Sequence, residues 1–189
     1  MTPMHIMIDC DDVLLNWIDG FRNWLQRPTP EHGPTSWSLA EWLGVPDDIC
    51  LNWINEFNAS PYFGMLSAVP GAVEAVRALS ASGHQLTVLT SCSSDPTIVQ
   101  RRRMNLRRLF GDSIDRVICL DLGESKREWL NVLRPGVWIE DNYKNALAGL
   151  DAGNRTFVMR RTHNRGDEPV SHGDITWVDD WSPIVSLFS

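Results

Sequence analysis

The sequence predicts an α/β fold in which a Rossmann-like, doubly wound parallel sheet carries a small helical insertion after its first strand. Two observations support this prediction. Short apolar runs recur along the chain, and the segments between them have apolar residues at helical spacing. Strands that alternate with helices in this way form a parallel sheet. Residues 15–69 are the exception, because helical spacing recurs there without a convincing strand.

The first strand is predicted at residues 5–8, because four consecutive apolar or amphipathic residues indicate a strand buried on both faces. The carboxylates of Asp9, Asp11 and Asp12 follow it directly. Open α/β sheets bind their ligands at this end of the strands. Crowded carboxylates repel one another unless a cation compensates them, and ligation by oxygen alone suits Mg²⁺. A solvated turn is the alternative interpretation, since Asp favours turns and helix caps.

Three helices are predicted between residues 15 and 69. The first covers residues 15–25, where Leu, Ile, Phe and Trp recur at helical spacing, and a segment rich in Pro, Gly and Ser follows it. Two further helices are expected at residues 39–43 and 47–57. The predicted domain organisation is therefore an α/β core of residues 1–14 and 70–189, with residues 15–69 inserted as a helical cap.

The remaining elements are predicted to alternate strictly. A helix opens after Pro70-Gly71, and Gly83 is its expected C-terminal stop. Further strands are predicted at residues 85–90, 116–120, 137–139 and 155–159, and further helices at residues 95–110, 124–133 and 145–150.

The tail and the charged segments complete the prediction. Residues 160–174 are expected to form an exposed loop, and residues 175–188 are expected to dock on the sheet edge and end in a short helix. We interpret the arginines between residues 101 and 108 as a solvated helix face, because the chain as a whole is acidic. We interpret the Asp179-Asp180 pair as a helix cap.

Composition excludes several classes of function. The 189 residues suit one domain with an insertion, and the net charge of −7 argues against binding nucleic acid in bulk. The four cysteines have no C-x-x-C or zinc spacing, which favours reduced thiols in a cytosolic protein. We see no charged leader and no apolar run of membrane-spanning length, so a soluble cytoplasmic protein is expected.

Chemically useful side chains follow four of the predicted strands. In a parallel sheet these strand ends converge on one side of the molecule. They supply a carboxylate nucleophile, a second carboxylate for proton transfer, hydroxyls, a lysine and two further carboxylates suited to a metal. This set can transfer a phosphoryl group through an acyl-phosphate intermediate. The residues are Asp9, Asp11, Thr90, Ser91, Lys126, Glu140 and Asp141.

On these residues the chain resembles the Mg²⁺-dependent phosphatases of the haloacid dehalogenase (HAD) superfamily. Residues 9–13 meet the D-x-D-x-V signature, and the second motif is the apolar strand that ends in Thr90. Lys126 matches the third motif, and Glu140-Asp141 matches the acidic fourth. All four motifs occur in the order that the superfamily has.

A closer resemblance, over nearly the whole chain, is to the 5′(3′)-deoxyribonucleotidases. It rests on Y-F at residues 62–63, V-P-G-A-V-E-A-V at 69–76, T-S at 90–91, T-H-N at 162–164 and D-D-W at 179–181. The chain departs from these enzymes in having Asp12 where many members have Gly, and Glu140 where Asp is common. Its cap segment is also shorter than the resemblance to the vertebrate enzymes implies.

The resemblance implies a Mg²⁺-dependent phosphomonoesterase that acts on nucleoside monophosphates of the dUMP or dTMP kind. Asp9 would form an aspartyl-phosphate, and Asp11 would protonate the leaving oxygen and later deprotonate the attacking water. Mg²⁺ would be held by Asp9, the Asp11 main-chain carbonyl and Asp141, with Glu140 acting through a metal-bound water.

The resemblance also assigns the substrate contacts. Thr90, Ser91 and Lys126 would bind the phosphate. The aromatic residues Trp17, Phe57 and Phe63 are candidates for stacking on the nucleobase, and the alternative for each is packing in the core of the cap. For His163 both a contact with the substrate phosphate and a bystander role remain open.

Other functions fit the same residues. The chain could be a HAD phosphatase for another small phosphate ester or for a polynucleotide end. It could also be a phosphoacceptor module similar to response-regulator receivers, although these lack a helical insertion after the first strand. A dehalogenase is disfavoured because Asp11 and the metal-type acids are present. We expect a small-molecule partner, with neither a membrane nor a stable nucleic-acid partner, and the resembled enzymes suggest a homodimer.

Overall fold

Six parallel strands form one sheet in the computed structural model, which describes residues 2–169 and 173–189. Their order across the sheet is β3-β2-β1-β4-β5-β6, and every neighbouring pair is parallel. The predicted α/β class with a doubly wound parallel sheet is therefore confirmed. The strands are β1 (His5–Ile8), β2 (Gln85–Ser91), β3 (Arg116–Leu120), β4 (Val137–Glu140), β5 (Arg155–Met159) and β6 (Ile175–Val178).

The helices lie close to their predicted positions. Local signals explain their ends: Asp95 caps α5 by accepting hydrogen bonds from the backbone N–H groups of Thr97 and Ile98, and Pro96 occupies its first position. The helices are α1 (Trp17–Leu25), α2 (Leu39–Leu43), α3 (Asp47–Ala59), α4 (Ala72–Ala81), α5 (Pro96–Phe110), α6 (Arg127–Val132), α7 (Tyr143–Asp151) and α8 (Ser182–Phe188), with 3₁₀ helices at Pro61–Met65 and Thr162–Asp167.

The strand order reverses between β1 and β4, and this reversal positions the site. Ile6 of β1 lies opposite Leu86 of β2 on one side and Val137 of β4 on the other. Just beyond β1, the Asp9 N–H donates to the Ile139 carbonyl at 2.8 Å. The ends of β1 and β4 are therefore held together at the topological switch point, where α/β sheets bind their ligands.

The tail contains a strand that the sequence prediction did not include. Residues 175–178 pair in parallel with β5, from Thr156 opposite Ile175 to Met159 opposite Val178, so the tail does dock on the sheet edge but as β6. Asp180 accepts a hydrogen bond from the Ser182 N–H at 2.7 Å, but it is not the cap that the sequence predicts, because Trp181 holds the N-cap position of α8. The prediction of an exposed loop at 160–174 is wrong for its first half, where the 3₁₀ helix Thr162–Asp167 contains the buried residues His163 and Asn164. The predicted loop also includes residues 170–172, which lie outside the described part of the chain.

Residues 15–69 hold α1, α2, α3 and the first 3₁₀ helix, and they pack against α5. The Asn105 side chain accepts a hydrogen bond from the Leu66 N–H and donates one to the Leu66 carbonyl, at 2.8 and 2.9 Å. The division into an α/β core and a helical cap remains a prediction. None of the helices in the described ranges has the length and apolar character needed to cross a bilayer.

Candidate active site

A sharp turn after β1 presents the first acids to the site. Asp12 has a φ of 57°, in the left-handed region, which Asp adopts more readily than most residues other than Gly. Its carbonyl accepts a hydrogen bond from Arg161 Nε at 2.6 Å, and its side chain accepts one from the Ile18 N–H at 3.3 Å. Gly adopts this conformation without steric cost, so Asp12 occupies a position where Gly would also fit.

A cavity of about 270 Å³ lies over the carboxyl ends of the strands. It is lined by all seven of the polar residues predicted for catalysis, phosphate binding and metal binding, and by Trp17 from α1. The structure therefore brings together side chains that come from four separate strand ends. Phe57 and Phe63 are fully buried in the hydrophobic core and are not among the residues that line this cavity.

Lys126 lies in the centre of a buried charge cluster. Its Nζ donates to Asp9 Oδ1 at 2.6 Å and to Glu140 Oε2 at 2.9 Å, and all three residues are buried. Burial lowers the pKa of Lys126, but the attraction of the two carboxylates outweighs this effect and raises the pKa above its usual value. Burial raises the pKa of Asp9 and of Glu140, and repulsion from Asp141 raises both further, although Lys126 lowers both.

Three carboxylates in this cluster fit a divalent cation. Oxygen atoms of Asp9, Glu140 and Asp141 lie within 4.8 Å of one another, and one ammonium faces them. The cluster thus holds more negative than positive charge in a buried place, and its donors are the hard oxygens that Mg²⁺ prefers. The residues present therefore fit the metal that the sequence predicted.

Asp141 is held from its far side by two residues of the second 3₁₀ helix. His163 Nε2 lies 2.8 Å from Asp141 Oδ2, and Asn164 Nδ2 donates to the Asp141 carbonyl at 2.6 Å. His163 is buried, and with Asp12 and Asp141 it forms a second group of ligand atoms within 4.8 Å of one another. The sequence does not decide between a phosphate contact and a bystander role for His163, and the structure places it beside a predicted metal ligand.

Asp11 belongs to neither of these two ligand groups and pairs with a cation that the sequence did not predict. Its Oδ1 is 2.5 Å from Arg102 Nη2. Burial raises the pKa of Asp11 to about 6, although Arg102 lowers it. The prediction of a solvated arginine face is wrong for Arg102, which is fully buried. A signal existed, because Arg102 is four residues from both Ile98 and Leu106 and so shares their apolar face of α5.

The end of β2 contributes hydroxyl groups. Thr90 is fully buried, and among the described residues its Oγ1 has no hydrogen-bond partner. A buried hydroxyl without a partner is costly, and a phosphoryl oxygen in the cavity would satisfy it. Ser91 is half-buried and lines the same cavity.

The apolar side of the cavity comes from residues 15–69. Trp17 is 8% exposed, and its ring centroid lies 5.0 Å from that of Phe21, so much of the indole is packed in the core. Its Nε1 donates to Asn58 Oδ1 at 3.1 Å, and Asn58 Nδ2 donates to the Cys92 carbonyl at 3.3 Å. Asn58 thus joins α3 to the loop after β2, a link that neither its type nor its spacing revealed.

Trp37 also lines the cavity, from the irregular segment before α2. Its ring centroid lies 4.5 Å from that of His163, and its Nε1 donates to Asp167 Oδ2 at 2.6 Å. Sequence analysis did not select Trp37, because a tryptophan in a segment without periodicity gives no signal of its contacts.

Solved structures with little sequence identity share this fold. A haloacid dehalogenase-like hydrolase from Streptococcus pneumoniae superposes with a TM-score of 0.69 at 14% identity, covering 99% of both chains. A predicted phosphatase from Clostridium acetobutylicum gives 0.69 at 12% identity over 98% of both chains. A HAD-hydrolase from Bacillus subtilis, bound to magnesium, gives 0.64 at 11% identity over 100% of both chains. Structural similarity at sequence identities this low establishes a shared fold and nothing more.

The family assignment comes from a family model. No curated protein has a sequence that matches the chain. The model described as "5′ nucleotidase, deoxy (Pyrimidine), cytosolic type C protein" matches residues 3–187, a range that contains all the cavity residues named above. The chain, with its HAD-like fold, therefore belongs to the family of deoxy (pyrimidine), cytosolic type C 5′ nucleotidases.

Proposed function

We propose that the protein is a Mg²⁺-dependent phosphomonoesterase that removes phosphate from deoxyribonucleoside monophosphates of the dUMP or dTMP kind. The observation that carries the proposal is the buried Asp9 carboxylate, which shares one cavity with Asp11, Lys126 and Asp141. Membership of the nucleotidase family supports a nucleotide substrate, and the word "pyrimidine" in its description supports the choice of base.

Asp9 is the proposed nucleophile. Its carboxylate attacks phosphorus in line, an Asp9–phosphorus bond forms, and the bond from phosphorus to the nucleoside oxygen breaks. Asp11 gives a proton to that departing oxygen. It then takes a proton from the water that attacks the aspartyl-phosphate, which releases inorganic phosphate and restores Asp9.

The phosphoryl oxygens would be bound by hydrogen-bond donors and by a cationic side chain. Among the residues that the structure describes, the buried Thr90 hydroxyl has no hydrogen-bond partner, and Ser91 follows it at the end of β2. Lys126 places its ammonium 2.6 Å from the Asp9 oxygen, so it would screen negative charge on the transferring group.

Asp9, the Asp11 main-chain carbonyl and Asp141 would hold Mg²⁺, and Glu140 would assist them. The bound ion would supply the positive charge that lets an anionic phosphate approach a carboxylate. The word "cytosolic" in the family description supports the expected cytoplasmic location. A homodimer and a separate helical cap complete the proposal, on the resemblance alone.

Mg²⁺ is expected to raise the temperature of thermal unfolding of the wild-type protein, because it binds only the folded carboxylate cluster. When the Mg²⁺ concentration is a hundred times the dissociation constant, binding adds about 2.7 kcal/mol to the free energy of unfolding. Asp141→Asn is expected to lose this gain. Asp112→Asn, which changes a carboxylate with a 90% exposed side chain, is the matched control and keeps it. An equal response to Mg²⁺ in Asp141→Asn and the wild type would contradict the metal assignment.

Trp17→Ala is expected to raise KM for dTMP more than KM for p-nitrophenyl phosphate, because only the nucleotide has a base to stack. Base stacking contributes about 1–3 kcal/mol, which corresponds to roughly 5- to 150-fold in KM. Trp17→Phe keeps a ring at this position and should change the ratio of the two KM values little. Equal increases for both substrates would remove the stacking assignment.

A panel of phosphate esters tests the proposed function as a whole. We expect repeated turnover, with kcat/KM higher for dUMP and dTMP than for purine nucleotides, sugar phosphates and a 5′-phosphorylated oligonucleotide. A higher kcat/KM for a sugar phosphate or for the oligonucleotide would indicate another phosphatase of the superfamily. Release of the alcohol from only one substrate molecule per protein would indicate a phosphoacceptor module.

A further inference from the structure

Arg102 carries a buried positive charge directly beside the proposed proton donor. Its side chain is fully buried, and among the described residues its one ion pair is with Asp11, at 2.5 Å between Nη2 and Oδ1. A buried charge is costly unless it is paired. The Asp11 carboxylate therefore offsets part of the cost of burying this guanidinium.

The guanidinium is confined on its other side as well. Its Cζ lies 4.0 Å from the centroid of the fully buried Phe63 ring, which belongs to the 3₁₀ helix at residues 61–65. One turn further along α5, Asn105 bonds both backbone groups of Leu66 and so fixes this segment against the helix. Arg102 is thus held between the aromatic ring and the carboxylate.

Asp11 has two carboxylate oxygens with different surroundings. Arg102 binds Oδ1, whereas no described residue donates a hydrogen bond to Oδ2. Asp11 itself lines the cavity. To protonate a leaving group, one carboxyl oxygen must lie within hydrogen-bond distance of the leaving-group oxygen. A carboxyl group without a fixed partner would rotate between several orientations, and only some of them would have this geometry.

We infer that Arg102 is a positioning residue for Asp11: it holds one carboxylate oxygen so that the other serves the leaving-group oxygen of the substrate. The inference rests on the proposed function, in which Asp11 protonates the departing nucleoside. It adds a residue that lies outside the four sequence motifs and does not touch the substrate.

The dependence on the leaving group tests this role. The nucleoside oxygen of dTMP needs a proton as it departs, whereas p-nitrophenolate leaves as a stable anion. We compare kcat/KM, which reports the steps up to the departure of the leaving group. In Arg102→Met we expect a fall of about 100-fold or more for dTMP, the size of a general-acid contribution, and less than about 10-fold for p-nitrophenyl phosphate.

Neighbouring residues supply the controls. Arg103→Met alters an exposed arginine on the same helix and is expected to leave both values of kcat/KM unchanged. Arg102→Lys retains the charge with a shorter reach, so it should show the same selective loss at smaller size. If Arg102→Met does not fold, the comparison of the two substrates is made with Arg102→Lys instead.

Two outcomes separate the inference from the function on which it rests. An equal fall for the two substrates, in either Arg102 variant, would show a structural role and overturn the inference while leaving the phosphatase assignment intact. Wild-type protein that hydrolyses neither substrate in the presence of Mg²⁺ would overturn the proposed function, and the inference with it.

Discussion

Asp9→Asn is expected to reduce kcat on every phosphate monoester by at least about a thousandfold and to leave the fold intact. An amide cannot form the aspartyl-phosphate, so the chemistry stops at its first step. Asn has nearly the same shape as Asp, and its side-chain oxygen can still accept the hydrogen bond that Lys126 Nζ gives at 2.6 Å. Turnover is followed by phosphate release, and folding by circular dichroism and thermal unfolding.

Trapping the intermediate makes this prediction specific. Wild-type protein quenched in acid during turnover should carry phosphate that hydroxylamine releases, as expected of an acyl-phosphate, and Asp9→Asn should carry none. The surface change Asp112→Asn is the matched control and should behave as the wild type. Substantial phosphatase activity in Asp9→Asn would refute the assignment of the nucleophile.

Lys126→Met is expected to lower the free energy of unfolding by about 3–5 kcal/mol, because it leaves two buried carboxylates without their shared partner. Asp9 and Glu140 both bind Nζ, and because they are only 6% and 1% exposed, water would compensate little for the loss of the ammonium. Activity should fall by about 100-fold or more, since the charge next to the transferring phosphoryl group is lost. Urea unfolding in the absence of divalent cations measures the stability change.

The next residue provides a matched control for this change. Arg127 has a side chain that is 51% exposed and pairs with Asp151 at the surface, so Arg127→Met should alter stability by no more than about 0.5 kcal/mol. The double change Lys126→Met with Glu140→Gln removes one unpaired carboxylate, and it should recover part of the stability but not the activity. A Lys126→Met protein as stable as the wild type would contradict the proposed charge cluster.

Periodicity and motif order predicted most of the elements, and the reason is visible in the structure. The central strands are buried on both faces, so β1 and β4 appear as continuous apolar runs that end at acids. β6 lies at the edge of the sheet and has four residues, one of them exposed. A run this short, with one exposed residue, cannot be separated from a loop by pattern alone.

The candidate site was predicted only where a side chain follows a strand or belongs to a motif. Asp9, Asp141 and Lys126 have this position, and the cavity contains them all. The exposed arginines next to Arg102 on α5 give this segment the composition of a solvated face, and only helical spacing distinguishes Arg102 from them. Trp37 reaches the cavity from an irregular segment, and only the three-dimensional structure shows that contact.

A crystal structure with Mg²⁺, beryllium fluoride and deoxythymidine tests the central claim most directly. We predict that the fluoride mimic of the phosphoryl group is attached to the Asp9 carboxylate, and that one Mg²⁺ is ligated by Asp9 and Asp141. Binding of the metal away from these two residues, or of the mimic away from Asp9, would contradict it.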